Sequence, residues 1–321
     1  MIELAQNWKD YQLIDAGNKD KLERWGDIVL IRPDPQAIWS RSNDPLWHKS
    51  DAIYHRSSKG GGSWEFKSRL PEFWTVRYGD LIFKVSPTNF KHTGLFPEQA
   101  ANWDWLTRLI RAADRPVKVL NLFAYTGGAT MACSKAGAAE VVHVDAAKGM
   151  VAWAKENRVL NHLKDHDIRF IVDDAMKFIQ REQRRGNRYD VIIMDPPSFG
   201  RGPNGETWKL EDQLETLIAE ASKLLSDQPV AFLLNGYTTG FSPIVLENIM
   251  KQHLLPRYPH GKVYAVELGI PFTSRNLILP CGSAGRFEPW SGSSMKTTIF
   301  WWLKNRSTSP ARKTPATIPI C

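Results

Sequence analysis

Hydrophobic and polar positions change rhythm near residue 90. Before it, short alternating runs read as strands over residues 27–31, 74–78 and 81–85, with Gly79-Asp80 as a hairpin turn between the last two. From residue 97 onward, apolar runs of strand length alternate with stretches whose apolar positions repeat every three to four residues, the pattern of βαβ units around a parallel sheet. This rhythm predicts strands over 118–122, 140–144, 168–172, 190–194, 230–234, 262–268 and 297–303. It predicts helices over 97–112, 129–135, 148–160, 175–183, 210–225 and 243–253. Beyond Asn305 the residues are mostly Ser, Thr, Pro and basic, with too little apolar surface to offset ordering entropy. The expected organisation is a β-rich domain over 1–90, an α/β domain over 91–304 and a disordered tail over 305–321.

Composition narrows the class. With 321 residues, 42% hydrophobic and 24% charged, the chain is long enough for two folded domains and ordinary enough to exclude a fibrous or disordered protein. No run of roughly 18 apolar residues occurs, and the first ten residues lack a basic start followed by an apolar stretch, so the expected location is the cytoplasm, away from membranes. Cys133, Cys281 and Cys321 have no metal-type spacing, and neither a disulfide framework nor a bound metal is expected. The net charge is +8, and residues 240–321 hold ten Lys/Arg against three Asp/Glu. Such a surface draws polyanions, although an ordinary basic surface accounts for it equally well. Six of the 13 tryptophans precede residue 75, and most of them are expected in the core, a minority being available to stack on bases.

The chemistry concentrates where strands end. The strand over 118–122 runs into Phe123-Ala124-Tyr125-Thr126-Gly127-Gly128, a glycine pair at a strand-to-helix turn, where a ligand can approach the backbone closely. Asp145 ends the next strand, about 20 residues on, where an acid can accept from both hydroxyls of a ribose. Asp173 and Asp174 follow the third strand at the same sheet edge, and one of them could accept from an adenine amino group. Either could instead cap the helix over 175–183. The turn lacks the G-x-G-x-x-G spacing of dinucleotide sites, and G-x-x-x-x-G-K-[ST] is absent. Elimination leaves a ligand with ribose and adenine but no pyrophosphate, a description that S-adenosylmethionine fits.

The fourth strand delivers Asp195-Pro196-Pro197-Ser198-Phe199-Gly200. Two prolines fix the backbone, so the Pro196 carbonyl and the Asp195 carboxylate can face one substrate N–H together. Phe199 offers a ring on which a flat base could stack, worth roughly 1–3 kcal/mol. A polar loop from Arg201 to Lys209 follows, with Arg201 a candidate phosphate contact.

These residues resemble the class I S-adenosylmethionine-dependent methyltransferases, and among them the bacterial large-subunit ribosomal RNA methyltransferases that modify cytosine C5 or guanine N7. The resemblance spans about residues 80–303. It rests on Thr93-Gly94-Leu95-Phe96-Pro97-Glu98-Gln99, Asn121-Leu122-Phe123-Ala124-Tyr125-Thr126-Gly127-Gly128, Asp145, Asp174 and Asp195-Pro196-Pro197-Ser198-Phe199. It implies a seven-stranded Rossmann-like sheet whose last strand is antiparallel, S-adenosylmethionine over the glycine turn, Asp145 on its ribose, and a segment up to residue 90 that helps to place RNA. The family's usual pseudouridine-synthase-type RNA module is not evident. The cytosine-5 branch carries a cysteine after strand five, whereas this chain reads Asn235-Gly236-Tyr237-Thr238. Methylating C5 requires a thiolate to attack C6, and neither Cys133 nor Cys281 stands at that position. Methylation of a base nitrogen needs only a lone pair in line with the methyl group, with Asn235 and Tyr237 as candidates for orienting the base. A protein or small-molecule methyltransferase, and a non-catalytic RNA-binding subunit of the same fold, remain alternatives.

Overall fold

The computed structural model describes residues 1–57, 61–201, 207–238 and 240–289. The strand expected over 297–303, the tail beyond Asn305, the middle of the glycine-rich stretch (58–60) and most of the loop after Arg201 (202–206) lie outside the described residues.

An eight-stranded sheet forms the centre. Its strands are β1 (Ile2–Leu4), β9 (Lys118–Leu122), β10 (Glu140–Asp145), β11 (Ile168–Val172), β12 (Val191–Met194), β15 (Ala231–Gly236), β16 (Lys262–Pro271) and β17 (Ile278–Glu288). They lie in the order β1-β16-β17-β15-β12-β9-β10-β11. The strands from β9 to β15 pair in parallel, and β17 runs antiparallel to both β15 and β16. Seven of these strands make the expected sheet with its antiparallel member. The eighth, β1, comes from the chain's first residues and pairs in parallel with β16.

The helices are α1 (Ala100–Ala112), α2 (Gly128–Lys135), α3 (Lys148–Leu160), α4 (Ala175–Arg184), α5 (Leu210–Ser222) and α6 (Pro243–Leu254). They cover both faces, as central strands that are apolar on both sides require. Val119, Ile193 and Leu233 share one core with Trp103 and Leu106 of α1 and Met131 of α2. Their neighbours Leu120, Ile192 and Phe232 point the other way, into a core with α4, α5 and α6.

The antiparallel strand corrects one expectation. It is formed by Ile278–Glu288, a stretch whose Pro280, Gly282 and Gly285 read as turn residues. Small residues are required there: a Cβ on Gly285 would stand 2.5 Å from the Met250 sulfur of α6.

The N-terminal segment folds as a five-stranded sheet of β2 (Tyr11–Gly17), β3 (Asp20–Trp25), β4 (Ile28–Pro33), β5 (Ala52–Arg56) and β6 (Gly62–Phe66), in that order. Only β4 had a counterpart in the hydrophobic pattern. The hairpin β7 (Trp74–Tyr78) and β8 (Leu81–Val85) follows as expected, with Gly79 at φ 57° in its turn. Tyr11, Trp25 and Leu30 belong to the same core as Val119 and Leu268 of the large sheet. Two asparagines of α3 hold the hairpin. Asn161 accepts from the Ile82 N–H and donates to its carbonyl, at 2.9 and 2.6 Å. Asn157 accepts from the Lys84 N–H and donates to the Thr126 carbonyl, both at 2.9 Å, which ties β8 to the glycine turn. Among the described residues, no helix is long and apolar enough to cross a membrane.

One buried ion pair holds the N-terminal sheet together and ties it to the loop after β8. Arg32 grips Glu23 with two bonds of 2.6 and 2.8 Å, Tyr11 adds a third at 2.9 Å, and the remaining Arg32 nitrogen donates to the Lys91 carbonyl at 2.9 Å. Burial alone would raise the Glu23 carboxyl, but Arg32 and Lys21, with the hydrogen bonds from Arg32 and Tyr11, more than offset it and hold the group at about 2. A carboxyl depressed in the folded state contributes stability above its unfolded value and loses it as pH falls through the folded one. Urea unfolding is therefore expected to show a loss on the order of 3 kcal/mol between about pH 5 and pH 2, absent from Glu23→Gln. Glu23→Ala is expected to cost roughly 3–5 kcal/mol at pH 7, because Arg32 is left buried without a counter-charge.

Candidate active site

A cavity opens at the carboxyl ends of β9, β12 and β15, where parallel sheets of this kind bind ligands. Phe123, Ala124, Tyr125, Thr126, Gly128 and Asp195 line it, together with Leu95, Phe96, Gln99, Trp103, Asn121, Ala129, Ile193 and Asn235.

The turn after β9 is tightly wound. Phe123 and Tyr125 have φ of 56° and 50°, and Gly127 has φ of 86°. Left-handed conformations at two aromatic residues cost energy and persist only where the surroundings impose them. Here the constraint is Asp145, whose carboxylate accepts from the Tyr125 N–H and the Ala147 N–H, both at 2.8 Å. Burial raises its carboxyl, and those two N–H groups act against that rise. Gly127 lies beneath the turn, where a Cβ would come within 3.2 Å of Ala154 and Met131. Gly128 leaves no room either: a Cβ would meet the Trp103 ring at 2.6 Å.

Asp173 and Asp174 follow β11, beside the end of β10. Asp174 caps α4 through the Lys177 N–H at 2.9 Å, so the capping role is real for this residue. Asp173 pairs with Arg181 and accepts from the Asp174 N–H at 2.9 Å.

Asp195 stands at the end of β12, and among the described residues its carboxylate has no hydrogen-bond donor. Burial, and the Glu98 carboxylate near it, push it up to about 7. Pro196 is buried and Pro197 exposed, with the Pro197 carbonyl taken by the Trp208 indole at 2.7 Å. Phe199 is not part of the cavity wall. It stands 55% exposed on β13 (Phe199–Arg201), which pairs with β14 (Thr207–Lys209). The segment expected as an open polar loop is thus a hairpin at both its ends, and its Trp208 ring lies 6.1 Å from Phe123.

The pattern of motifs missed a buried polar chain behind Asp195. Arg286, 1% exposed, bonds Glu3 of β1 at 2.6 Å and the Asn102 side-chain oxygen at 2.7 Å. Asn102 donates to Gln99 and to Asn235, both at 2.9 Å, and Gln99 donates to the Tyr237 hydroxyl at 2.5 Å. Tyr237 in turn bonds Glu98, and burial with the Glu98 and Asp195 charges keeps its hydroxyl protonated. Burial also raises the Glu98 carboxyl. Two carboxyl groups with raised affinity for protons thus flank one tyrosine at the cavity. A signal was present in the sequence: Gln99 and Asn102 are polar at helical spacing on the apolar face that carries Trp103 and Leu106.

Neither described cysteine is a ready nucleophile. Burial pushes the Cys133 thiol up to about 12, and burial with the Glu98 charge pushes the Cys281 thiol well above its ordinary value. Among the described residues no group of three acidic, histidine or cysteine side chains could hold a metal ion.

Comparison with known proteins adds to this geometry. The S-adenosylmethionine-dependent methyltransferase family pattern matches residues 43–226. Ribosomal RNA large subunit methyltransferase K/L of Syntrophotalea carbinolica is 35% identical over 185 residues, which is 57% of this chain and 25% of that protein. The chain spans about a quarter of the length of the curated relatives it matches. The crystal structure of a SAM-dependent methyltransferase from Agrobacterium tumefaciens is similar with a TM-score of 0.85 and 41% identity, covering 90% of this chain and 94% of that one. A methyltransferase solved with SAH shares the fold at 18% identity and a TM-score of 0.66, over 88% of this chain and 76% of that one.

The carboxyl pair makes a direct prediction. In carbon-13 NMR, the carboxyl signal that disappears in Asp195→Asn is expected to titrate near pH 7. Glu98→Gln is expected to lower that value without returning it to the ordinary aspartate range, because burial remains. An unchanged titration in Glu98→Gln would show that the two groups do not interact.

Proposed function

The chain belongs to the S-adenosylmethionine-dependent methyltransferase family, and from that premise we propose that it methylates a nitrogen of an RNA base, with ribosomal RNA as the source. When bound, S-adenosylmethionine supplies an electrophilic methyl group on a sulfonium. The observation that carries the proposal is the Asp195 carboxylate: free of hydrogen bonds among the described residues, open to the cavity and pushed up to about 7.

The residues fit the cofactor. Gly128 leaves the Trp103 ring and the turn backbone exposed to the cavity, where any Cβ would collide. Asp145 uses one lone pair on each oxygen for the backbone and keeps the others for ribose hydroxyls. Asp174 keeps one carboxylate oxygen beyond its capping bond, enough for an adenine amino group. Phe123, Ala124, Tyr125, Thr126 and Gly127 form the turn over which the ligand lies.

Asp195 and the Pro196 carbonyl then serve as two acceptors for the N–H groups of a base. A base nitrogen that carries a hydrogen must release a proton when it gains a methyl group, and a carboxylate that titrates near neutrality is suited to take it. Tyr237, held by Gln99 and Glu98, fixes the direction from which that carboxylate is approached. Phe199 on its hairpin supplies a stacking ring at the outer side. Methylation at C5 is disfavoured because Cys133 and Cys281 are both held as thiols. The β-rich residues 1–90 place the RNA. The relatives' name supports ribosomal RNA as the source.

Transfer of tritiated methyl is the test, with ribosomal RNA from cells lacking the gene and bulk protein as parallel acceptors. Label is expected in RNA, and label confined to protein would replace the RNA reading. Asp195→Asn is expected to abolish transfer while still binding the cofactor. Asp145→Ala is expected to weaken cofactor binding at least about tenfold, or roughly 1.4 kcal/mol by calorimetry, and unchanged affinity would remove Asp145 from the ribose.

A further inference from the structure

The tryptophans of the N-terminal segment are spent on packing. Trp25 and Trp47 are buried, and Trp8, Trp39, Trp64 and Trp74 are partly so. Among the described residues, the exposed aromatic side chains are instead four phenylalanines: Phe66, Phe73, Phe90 and Phe199, at 55%, 46%, 61% and 55%. Phe199 stands on the hairpin after Asp195. Of the other three, Phe66 lines a groove, Phe73 follows its lining residue Glu72, and Phe90 is joined to Trp64 beside it.

Trp64 organises that groove. Its ring stacks on Phe66 with centroids 6.3 Å apart and planes at 23°. Its indole N–H donates to the carbonyls of Thr88 and Phe90 at 2.9 and 3.0 Å, which sets the turn bearing Phe90 beside β6. Phe66, Arg69, Pro71 and Ser86 line the hollow between them. Phe73, at the entry to β7, lies under the Lys84 ammonium, 4.7 Å from its ring centre. Beyond Phe90 the rings continue toward the cavity. His92 lies 5.2 Å from Phe96, and Phe96 lies 5.6 Å from Tyr125 and 5.9 Å from Tyr237.

Charge follows the same course. Arg69 has no ion-pair partner among the described residues. Lys91 and His92 are both pushed below their ordinary values, first by burial and then by neighbouring cations, Lys21 and Arg32 among them. Lys91 adds a cation next to Phe90. An apolar protein surface would cover the rings and strand the cations. A strand of bases on phosphates satisfies both, since every base has a face to stack and every linkage a negative charge.

We propose that the face carrying Phe66, Phe73 and Phe90 docks an unpaired stretch of RNA flanking the methylated base, with His92 and Phe96 leading from it to the cavity. This rests on the RNA reading of the same site. The bases stack on the phenylalanines, Arg69 and Lys91 meet the phosphates, and duplex RNA is excluded because its bases are not free to splay out.

The test is fluorescence anisotropy of a labelled, unstructured 15-nucleotide RNA of mixed sequence, titrated with the full chain at fixed salt. Phe66→Ala and Phe90→Ala are each expected to weaken binding at least about fivefold, the low end of one lost base stack. Phe66→Leu and Phe90→Leu, which keep apolar area but lose the flat face, are expected to weaken it nearly as much. Cofactor affinity by calorimetry is expected to stay unchanged in all four. Wild-type binding that persists unaltered in the double alanine variant would overturn the docking surface and leave the RNA reading standing. No binding by the wild type would overturn both. Full affinity in the leucine variants, or equal affinity for a duplex of the same length, would overturn stacking as the mode of recognition.

Discussion

A single buried cation governs the arrangement of this molecule. The guanidinium of Arg286 lies inside the fold, where an unpaired charge would cost several kcal/mol. Its two partners come from opposite ends of the chain's logic. Glu3 must reach it, which draws the first residues onto the sheet edge as β1. Asn102 must offer its oxygen, which leaves its amide nitrogen to donate to Gln99 and Asn235. Gln99 is thereby turned to hold the Tyr237 hydroxyl, and Tyr237 faces Glu98 and Asp195. This chain of bonds begins on the edge strand β1 and ends at Tyr237 and Glu98, whose carboxylate lies near Asp195. A fully satisfied polar chain of this kind admits one arrangement, because each displaced member leaves a buried group unpaired.

The cofactor side is held by a second, local constraint. Asp145 holds the turn through its bonds to Tyr125 and Ala147, which leave lone pairs free on both of its oxygens. Thr126 extends the hold: its hydroxyl donates to the Gly94 carbonyl at 2.6 Å, and its own carbonyl receives Asn157. The segment that carries Glu98 and Gln99 is thereby fastened to the glycine turn.

Much of this was legible in the sequence, and the reason is periodicity. The strands Lys118–Leu122 and Ile168–Val172 and the helix Lys148–Leu160 coincide with their predicted bounds, because buried parallel strands and amphipathic helices impose their own spacing. Asp145 and Asp195 were found because strand ends mark the ligand edge of such a sheet. The antiparallel strand Ile278–Glu288 was hidden by Pro280 and its glycines, of which Gly285 makes room for Met250 and Gly282 for Tyr237. Glu98 and Asn102 were missed for a related cause. Asn102 bonds Asn235 and Arg286, 133 and 184 residues away, and Glu98 bonds the distant Tyr237, and no local pattern announces bonds over such distances.

The central claim is that a base nitrogen surrenders its proton to Asp195 as it accepts a methyl group. Incubating the protein with S-adenosylmethionine and unmodified ribosomal RNA, then digesting the RNA and identifying the methylated nucleoside by mass spectrometry, tests it most directly. The account predicts a methyl group on a base nitrogen that carries a hydrogen before the transfer. A nucleoside methylated at C5 of a pyrimidine would contradict it.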